Sequence, residues 1–448
     1  MIYHCCMITK NMDLEVTIID MGINGEGIAK HDGAVIFVPF ALKDEVVKIH
    51  IIYAKSHYYV GKILEILKPS PFRVKPICPY FQKCGGCDLQ HLDNAKILEF
   101  KTDLVKNSLR NIAKINADGV VHNCIGLNEY YYRNKFAFPI GQHDNEKFVG
   151  MYKENSHNII RIDNCYIQAD WSKKVIDIFN HFLNTTNNSV YEESTRTGLI
   201  KHLVCRMENN QLLVCVVING KQLNDMQVLI NYLSQEFENF GLMVNHNTLN
   251  NNVILTNNYT HIYGIKTISI SSHNINYEVS LNSFMQVNTP IADAIYSKVQ
   301  ELVSGETVVN AFSGAGLLSA YIAKTAKQVY GIEIVESSHN DAEKLKVNNS
   351  IINLTNILGD VAKELPKINH FDCIVLDPPR KGCSRIVLDT ILNVAPEKII
   401  YVSCDPATLS RDIGILKDKY QLEFAQPYDM FPKTRHTETL AYLTKKDI

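Results

Sequence analysis

From Ser283 to the C-terminus the chain repeats one pattern: a short apolar run, a break carrying glycine, proline or a polar group, then a helical stretch. The runs are TVVNAF, KQVYGIEIV, FDCIVLDPP, KIIYVSCDP and TLAYLTKK. Apolar runs of this kind suit strands buried on both faces. Their alternation with helices predicts a Rossmann-like α/β domain built on a mostly parallel, doubly wound sheet. Such a sheet presents ligands at the carboxyl ends of its strands, so function is to be sought just beyond each run.

The rest of the chain reads differently. At 448 residues it exceeds one ordinary core, and two or three domains are expected. Between about Asp13 and Leu67, VTIIDM, AVIFVPFALKDEVVKIHII and YYVGKILEIL alternate β-branched and polar residues between glycine-rich turns. This predicts a small β-barrel over residues 9–68. Pro69, Pro71, Pro76 and Pro79 mark a linker into a central α+β region, 69–280, which opens with three cysteines and an amphipathic helix from about Asn94 to Asn111. The α/β domain takes 281–448.

Composition is that of a globular protein, 46% hydrophobic and 21% charged. No apolar run has the length of a membrane span. The opening stretch MIYHCCMITKNMDLEV lacks the basic-then-apolar design of a secretory leader. A cytoplasmic protein without a membrane partner is expected. In a reducing compartment its clustered cysteines serve metal binding or catalysis rather than disulfides, while Cys205, Cys215 and Cys373, set singly in apolar runs, read as small core residues. The net charge of −2 gives no general electrostatic argument for a nucleic-acid partner, and the stretch Lys96 to Lys135 leans basic only weakly.

Chemistry gathers at the strand ends. Ser313-Gly314-Ala315-Gly316 follows TVVNAF, where glycines let a backbone approach a ligand at a helix N-terminus, although plain strand-to-helix packing uses the same turn. Glu333 ends the next strand, about 20 residues on, where an acid can bind both hydroxyls of an adenosine ribose. Turn and acid together point to a nucleoside cofactor, either NAD or S-adenosylmethionine. Asp377-Pro378-Pro379-Arg380 follows CIVL, and two prolines that cannot continue a sheet force a rigid exit. Cys404 lies just beyond IIYV, and His436 and Glu438 come immediately before the last strand. Taken singly, each has an ordinary reading as a buried small residue or a solvated loop group. A thiol, an acid and a base beside a nucleoside cofactor instead imply nucleophilic catalysis followed by proton removal. A pyrimidine requires that chemistry. Thiolate addition at carbon 6 makes carbon 5 an enolate carbon able to attack an electrophilic methyl group, and a base must then remove the carbon-5 proton.

A separate group, Cys78, Cys84 and Cys87, places three cysteines within ten residues on a glycine-containing loop, with further cysteines at Cys124 and Cys165. Four thiolates suit either zinc or a cubic iron–sulfur cluster, and spacing alone does not choose.

CPYFQKCGGCDLQHL, SFMQVN, DPPRKGC, VSCDPATLSRD and DMFPKTRHTETL, in this order, resemble the motifs of the RNA uridine-5-methyltransferases, and among them the cluster-containing enzymes of 23S ribosomal RNA. The resemblance runs over essentially the whole chain. It implies a class I methyltransferase domain using S-adenosylmethionine, with Cys404 as nucleophile and Glu438 as the base for the carbon-5 proton. Asp377 would line the pocket shared by cofactor and uracil. Gln286, Phe312, Glu333 and Asp360 match cofactor-binding positions. Cys78, Cys84, Cys87 and Cys165 match the ligands of a 4Fe-4S cluster, which leaves Cys124 a bystander. The N-terminal barrel is similar to a TRAM domain, an OB-like RNA-binding module, and YRNKFAFPIG matches a segment of the family's central domain. The partner implied is large-subunit ribosomal RNA, and a monomer is expected.

The chain departs from the family pattern in two places. Asn310 and Phe312 stand in a strand end that usually carries Asp followed by Tyr-Cys-Gly, and Leu317 replaces a common Thr or Asn. Asn still accepts and donates hydrogen bonds, so altered cofactor affinity rather than inactivity is expected. Three other readings compete: the same chemistry on the T-loop uridine of tRNA, a non-catalytic metal-bearing RNA-binding protein, and an NAD-dependent oxidoreductase with a zinc site. The last leaves DPPRKGC and VSCDPATLSRD without a purpose.

Overall fold

Alternate residues of β1 (Asp13–Met21) turn Leu14, Val16 and Ile18 inward in the computed structural model of the chain. With β2 (Gly27–His31), β3 (Ala34–Val38), β4 (Val46–Ala54) and β5 (Tyr59–Lys68) they close a barrel in the order β1-β2-β3-β5-β4, β4 pairing back onto β1. Closure leaves no open sheet edge. Its interior is Ile18, Ile36, Val47 and Ile49. The buried carboxylate of Glu45 is held by Arg73, whose Nη2 donates to Oε2 at 2.8 Å. The residues described are 8–55, 57–303 and 306–447. Residues 1–7 of the stretch read above for a leader lie outside them.

Two units divide the chain. The first runs to Phe100 and includes Lys153–Ser156 and Lys433–Arg435. The second holds the remainder. Helix α1 (Asn94–Ser108) continues into a wider helical turn over Leu109–Ala113, slightly past the expected end at Asn111, and stops where Lys114 takes a left-handed conformation. A seven-stranded sheet follows, ordered β12-β11-β10-β9-β6-β7-β8. Its strands are β6 (Lys135–His143), β7 (Glu146–Tyr152), β8 (Ile159–Arg161), β9 (Ile200–Glu208), β10 (Gln211–Ile218), β11 (Phe240–His246) and β12 (Tyr259–Gly264). Helices α2 (Trp171–Thr185) and α3 (Met226–Glu236) accompany it, and a hairpin of β13 (Ile268–Ser272) and β14 (Ile275–Val279) comes next.

The final domain contains α4 (Thr289–Leu302), β15 (Thr307–Ala311), α5 (Leu317–Ile322), β16 (Gln328–Glu333), α6 (Glu336–Asn348), β17 (Leu354–Leu358) and α7 (Val361–Glu364). It continues through β18 (Cys373–Leu376), α8 (Arg385–Val394), β19 (Lys398–Ser403), α9 (Pro406–Leu416), β20 (Tyr420–Tyr428) and β21 (Glu438–Lys445). The sheet order is β17-β16-β15-β18-β19-β21-β20. The first five strands are parallel, and β21 is antiparallel to both β19 and β20. Val309, Ile374 and Tyr401 pack on one face, Val308, Val375 and Ile400 on the other. That two-sided burial is why these strands read as continuous apolar runs. Among the described residues no helix is long and apolar enough to cross a membrane.

Candidate active site

Chain order reverses direction at the β15–β18 boundary, where an open α/β sheet leaves a crevice at its carboxyl edge. Strand register then lines up the side chains named from the sequence. Ala311 pairs with Ile332 on one side and Leu376 on the other, so Phe312, Glu333 and Asp377 leave three adjacent strands at one level. Glu333 pairs with Leu358, which brings Asp360 to the same edge. Leu376 pairs with Tyr401, placing Cys404 beyond the next strand. Ser403 pairs with Thr439 in the antiparallel ladder. Cys404 follows the last paired residue of β19 and Glu438 begins β21, near enough that the Glu438 charge acts on the Cys404 thiol. Glu438 is itself the first residue of β21, paired with Tyr428, rather than part of the loop before it, because the β20–β21 ladder extends that far.

These residues open into one cavity of about 1090 Å³, lined by Gln286, Phe312, Glu333, Asp360, Asp377, Cys404 and Glu438 among others. That is at the upper end of ligand pockets, which hold roughly 300–1,000 Å³, and it leaves room for a nucleoside cofactor and a second ring.

The end of the cavity at Glu333 is built by backbone. Glu333 is buried, and its carboxylate accepts from Gly314 N at 2.8 Å and from Val335 N at 2.7 Å. Those bonds fix its orientation while leaving lone pairs for ribose hydroxyls. A side chain at Gly314 would meet nothing within 4 Å, and its φ of +55° favours glycine. At Gly316, φ +81°, a Cβ would lie 2.7 Å from the Ala342 Cβ, so this second glycine serves helix packing. Phe312 holds a left-handed φ of +65°, rare for a bulky residue. Buried Asn310 donates from Nδ2 to Ser319 Oγ at 2.8 Å. Asp360 caps α7 through Ala362 N at 2.9 Å.

The reactive end is short of water. Burial raises the Cys404 thiol to about 11, with Glu438 and Asp377 adding to the rise and Arg380 opposing it. Burial likewise raises Asp377 to about 7. Glu438, only 4% exposed, is pushed well above the ordinary carboxyl range by burial and by Asp377. Cys404 therefore rests as a thiol beside two poorly solvated carboxyls that share a low-dielectric site.

One network was missing from the sequence reading. Buried Asp412 accepts from Cys383 N at 2.8 Å and from the Tyr401 hydroxyl at 2.7 Å, while Arg411 Nε donates to its other oxygen at 2.8 Å. Arg411 Nη2 donates to Lys381 O at 3.0 Å, and the Thr408 hydroxyl to Arg380 O at 3.1 Å. The helix that follows Cys404 thus grips the loop that follows Asp377. Its signal was available: Asp412 lies among Leu409, Ile413 and Leu416 on the apolar face of α9. Asp412→Ala should cost about 3 kcal/mol, since it strands a buried N–H and a buried hydroxyl. Urea unfolding checks this, and a loss under about 1 kcal/mol would contradict the network's weight.

For the cysteine loop, Gly86 N lies 3.4 Å from Cys84 Sγ, and the backbone N–H groups of Tyr80 and Phe81 serve Cys78. Sulfur atoms receiving peptide N–H groups have the donor chemistry of an iron–sulfur ligand. Among the described residues, however, no three His, Cys, Asp or Glu side chains are gathered into a metal-holding group. Cys124 is buried, and the Thr102 hydroxyl accepts from its backbone N at 2.9 Å.

The sheet order, the reversed last strand, the glycine turn and the spaced acid define a class I S-adenosylmethionine-dependent methyltransferase fold. A sequence model of the tRNA (uracil-5-)-methyltransferase family matches residues 93–446, and one of the TRAM domain matches 10–64. The chain is 36% identical over 453 residues to an uncharacterized RNA methyltransferase of Clostridium acetobutylicum, covering 98% of each. It is 38% identical over 443 residues to one of Caldanaerobacter subterraneus subsp. tengcongensis, covering 96% of this chain and 98% of the relative. The crystal structure of Pyrococcus abyssi tRNA (uracil-54, C5)-methyltransferase with S-adenosyl-L-homocysteine matches with a TM-score of 0.80 at 25% identity, over 96% of this chain and 99% of that one. The chain belongs to the S-adenosylmethionine-dependent RNA (uracil-5-)-methyltransferase family.

Proposed function

We propose that the protein methylates carbon 5 of a uridine in 23S ribosomal RNA, with Cys404 as nucleophile and Glu438 as general base. The observation that carries this reading is the gathering of Cys404 and Glu438 in one cavity with Glu333 and Asp377, the Glu438 charge acting directly on the Cys404 thiol. Cys404 Sγ forms the bond to carbon 6, its proton passing to the Asp377 carboxylate, and the ring's double-bond electrons pass to the uracil carbonyl. S-Adenosylmethionine supplies the electrophilic methyl group that carbon 5 attacks. Glu438 then takes the carbon-5 proton, and its electron pair restores the ring double bond as the sulfur departs. Gln286, Phe312, Glu333 and Asp360 hold the cofactor. The target base has to leave its RNA stack to reach this depth.

Ribosomal RNA as substrate rests on the likeness of the five quoted motifs to the 23S enzymes. A tRNA substrate is favoured by one observation: the Pyrococcus abyssi tRNA enzyme matches 96% of this chain, so the overall architecture does not separate the two. Methyl transfer from labelled S-adenosylmethionine to unmodified large-subunit rRNA and tRNA, side by side, decides. 5-Methyluridine in rRNA is expected; label confined to tRNA would overturn the substrate, and label in neither would overturn the reading.

We further infer a 4Fe-4S cluster held by Cys78, Cys84, Cys87 and Cys165, supported by the thiol set and the N–H donors around Cys78 and Cys84. Protein purified without oxygen should contain about four irons and four sulfides per chain, and Cys87→Ser should lower both. An iron-free, fully folded protein would refute the cluster.

A further inference from the structure

Residues 280–288 form neither helix nor strand, yet they supply Ser280, Ser283, Phe284, Met285, Gln286 and Val287 to the cavity wall. Backbone of that kind keeps its shape only through what its carbonyls bind. Two cations from the central sheet provide much of this. Arg206 in β9, 1% exposed, donates from Nη1 to Ser280 O at 3.2 Å and to Ser283 O at 3.1 Å. Lys135 in β6 donates from Nζ to Leu281 O at 2.6 Å. Asn134, just before Lys135, donates from Nδ2 to Gln286 O at 3.2 Å and from its backbone to Val287 O at 3.0 Å. Lys135 and Arg206 are opposite one another in the β6–β9 ladder.

This arrangement is costly. Burial, then the charge of Arg206, pulls Lys135 down to about 8, and burial pulls Arg206 down to about 10 against the nearby Glu208. Two neighbouring cations are thus desolvated over carbonyl oxygens, where apolar side chains would fill the space at less expense. What they secure is the loop.

We propose that Arg206 and Lys135 are positioning residues that hold the 280–288 loop, through its carbonyl oxygens, in the shape that binds S-adenosylmethionine. The proposal rests on the methyltransferase reading. The two cations touch neither reacting atom, so cofactor affinity depends on them and the chemical step does not.

The test is calorimetric binding of S-adenosylhomocysteine to full-length wild type, Arg206→Met, Lys135→Met and Arg206→Lys, with kcat and KM measured alongside. Both Met variants should bind about tenfold more weakly and raise KM to match, with kcat at saturating cofactor within about threefold. Arg206→Lys, which keeps the charge and one donor, should recover part of the loss. Unchanged affinity in a folded variant, or a fall in kcat at constant KM, would overturn the clamp. If Arg206→Met does not fold, Lys135→Met decides by the same criterion. A wild type that binds S-adenosylhomocysteine but methylates no RNA would refute the proposed function and leave the clamp to be judged on binding alone.

Discussion

Cys404→Ala should lower methyl transfer by a factor on the order of 10⁴ or more while leaving S-adenosylhomocysteine affinity within about twofold. Without a sulfur to add at carbon 6, carbon 5 of uracil has no enolate character, and nothing else in the cavity makes it a nucleophile. The loss corresponds to at least about 5.5 kcal/mol of transition-state stabilisation. Binding is spared because Glu333, Gly314 and Asp360 lie at or just beyond the ends of β16, β15 and β17, on the opposite side of the β15–β18 crevice. Stability should hold as well, since the thiol is only part-buried and makes no cap for α9. That task belongs to Asp405, which accepts from Ala407 N and Thr408 N, both at 2.9 Å. Turnover assays with labelled cofactor, and calorimetry with S-adenosylhomocysteine, measure the two quantities independently. A variant retaining more than about one per cent of the wild-type rate would remove Cys404 from the nucleophile's role.

The sequence carried the α/β domain because its strands are buried on both faces and so are uninterrupted in apolarity. It failed where that condition failed. β17, LTNIL, is an edge strand diluted by polar residues, and β20, YQLEFAQPY, alternates like a half-exposed one. Neither stood out, although β20 supplies the partner that draws Glu438 into the sheet. The barrel was legible from the period-two pattern of β1. At the site, residue types at strand ends were enough to name Cys404, Glu438, Asp377 and Glu333. That they share one sheet edge was expected; which strand lies against which was not, because it depends on register: Ser403 opposite Thr439, and Ala311 opposite Leu376. The left-handed Phe312 and the partners of Asp412, whose place on the apolar face of α9 was the one local sign, lay beyond sequence reasoning for a related cause. Both are set by the contacts of separate segments, and no local pattern announces them. Arg206 looked like any charged residue in a strand until its carbonyl partners, more than seventy positions away, were in view.

Glu438→Gln should convert a turning-over enzyme into one that stops at the covalent RNA adduct. Addition of Cys404 and methylation of carbon 5 need no carboxylate at position 438, but elimination of the sulfur needs the carbon-5 proton gone. The amide has no basicity to take it, so turnover should fall by about 10²–10⁴. A stable protein–RNA species, resistant to denaturing electrophoresis, should accumulate in proportion to cofactor added. The fold should not suffer. Glu438 has its carboxyl raised well above the ordinary range by burial and by Asp377, so its charged form costs the folded state stability. A raised group contributes its stability below the unfolded value, and that contribution is lost as pH climbs through the folded one. At neutral pH and above, the neutral amide escapes this loss, and the variant should be at least as resistant to urea as the wild type. Activity and stability therefore move in opposite directions, which a merely structural carboxyl would not allow. If Glu438→Gln turns over normally, or dies without forming an adduct, the carbon-5 proton goes elsewhere, and Asp377, on the same cavity wall and raised to about 7, is the next group to substitute.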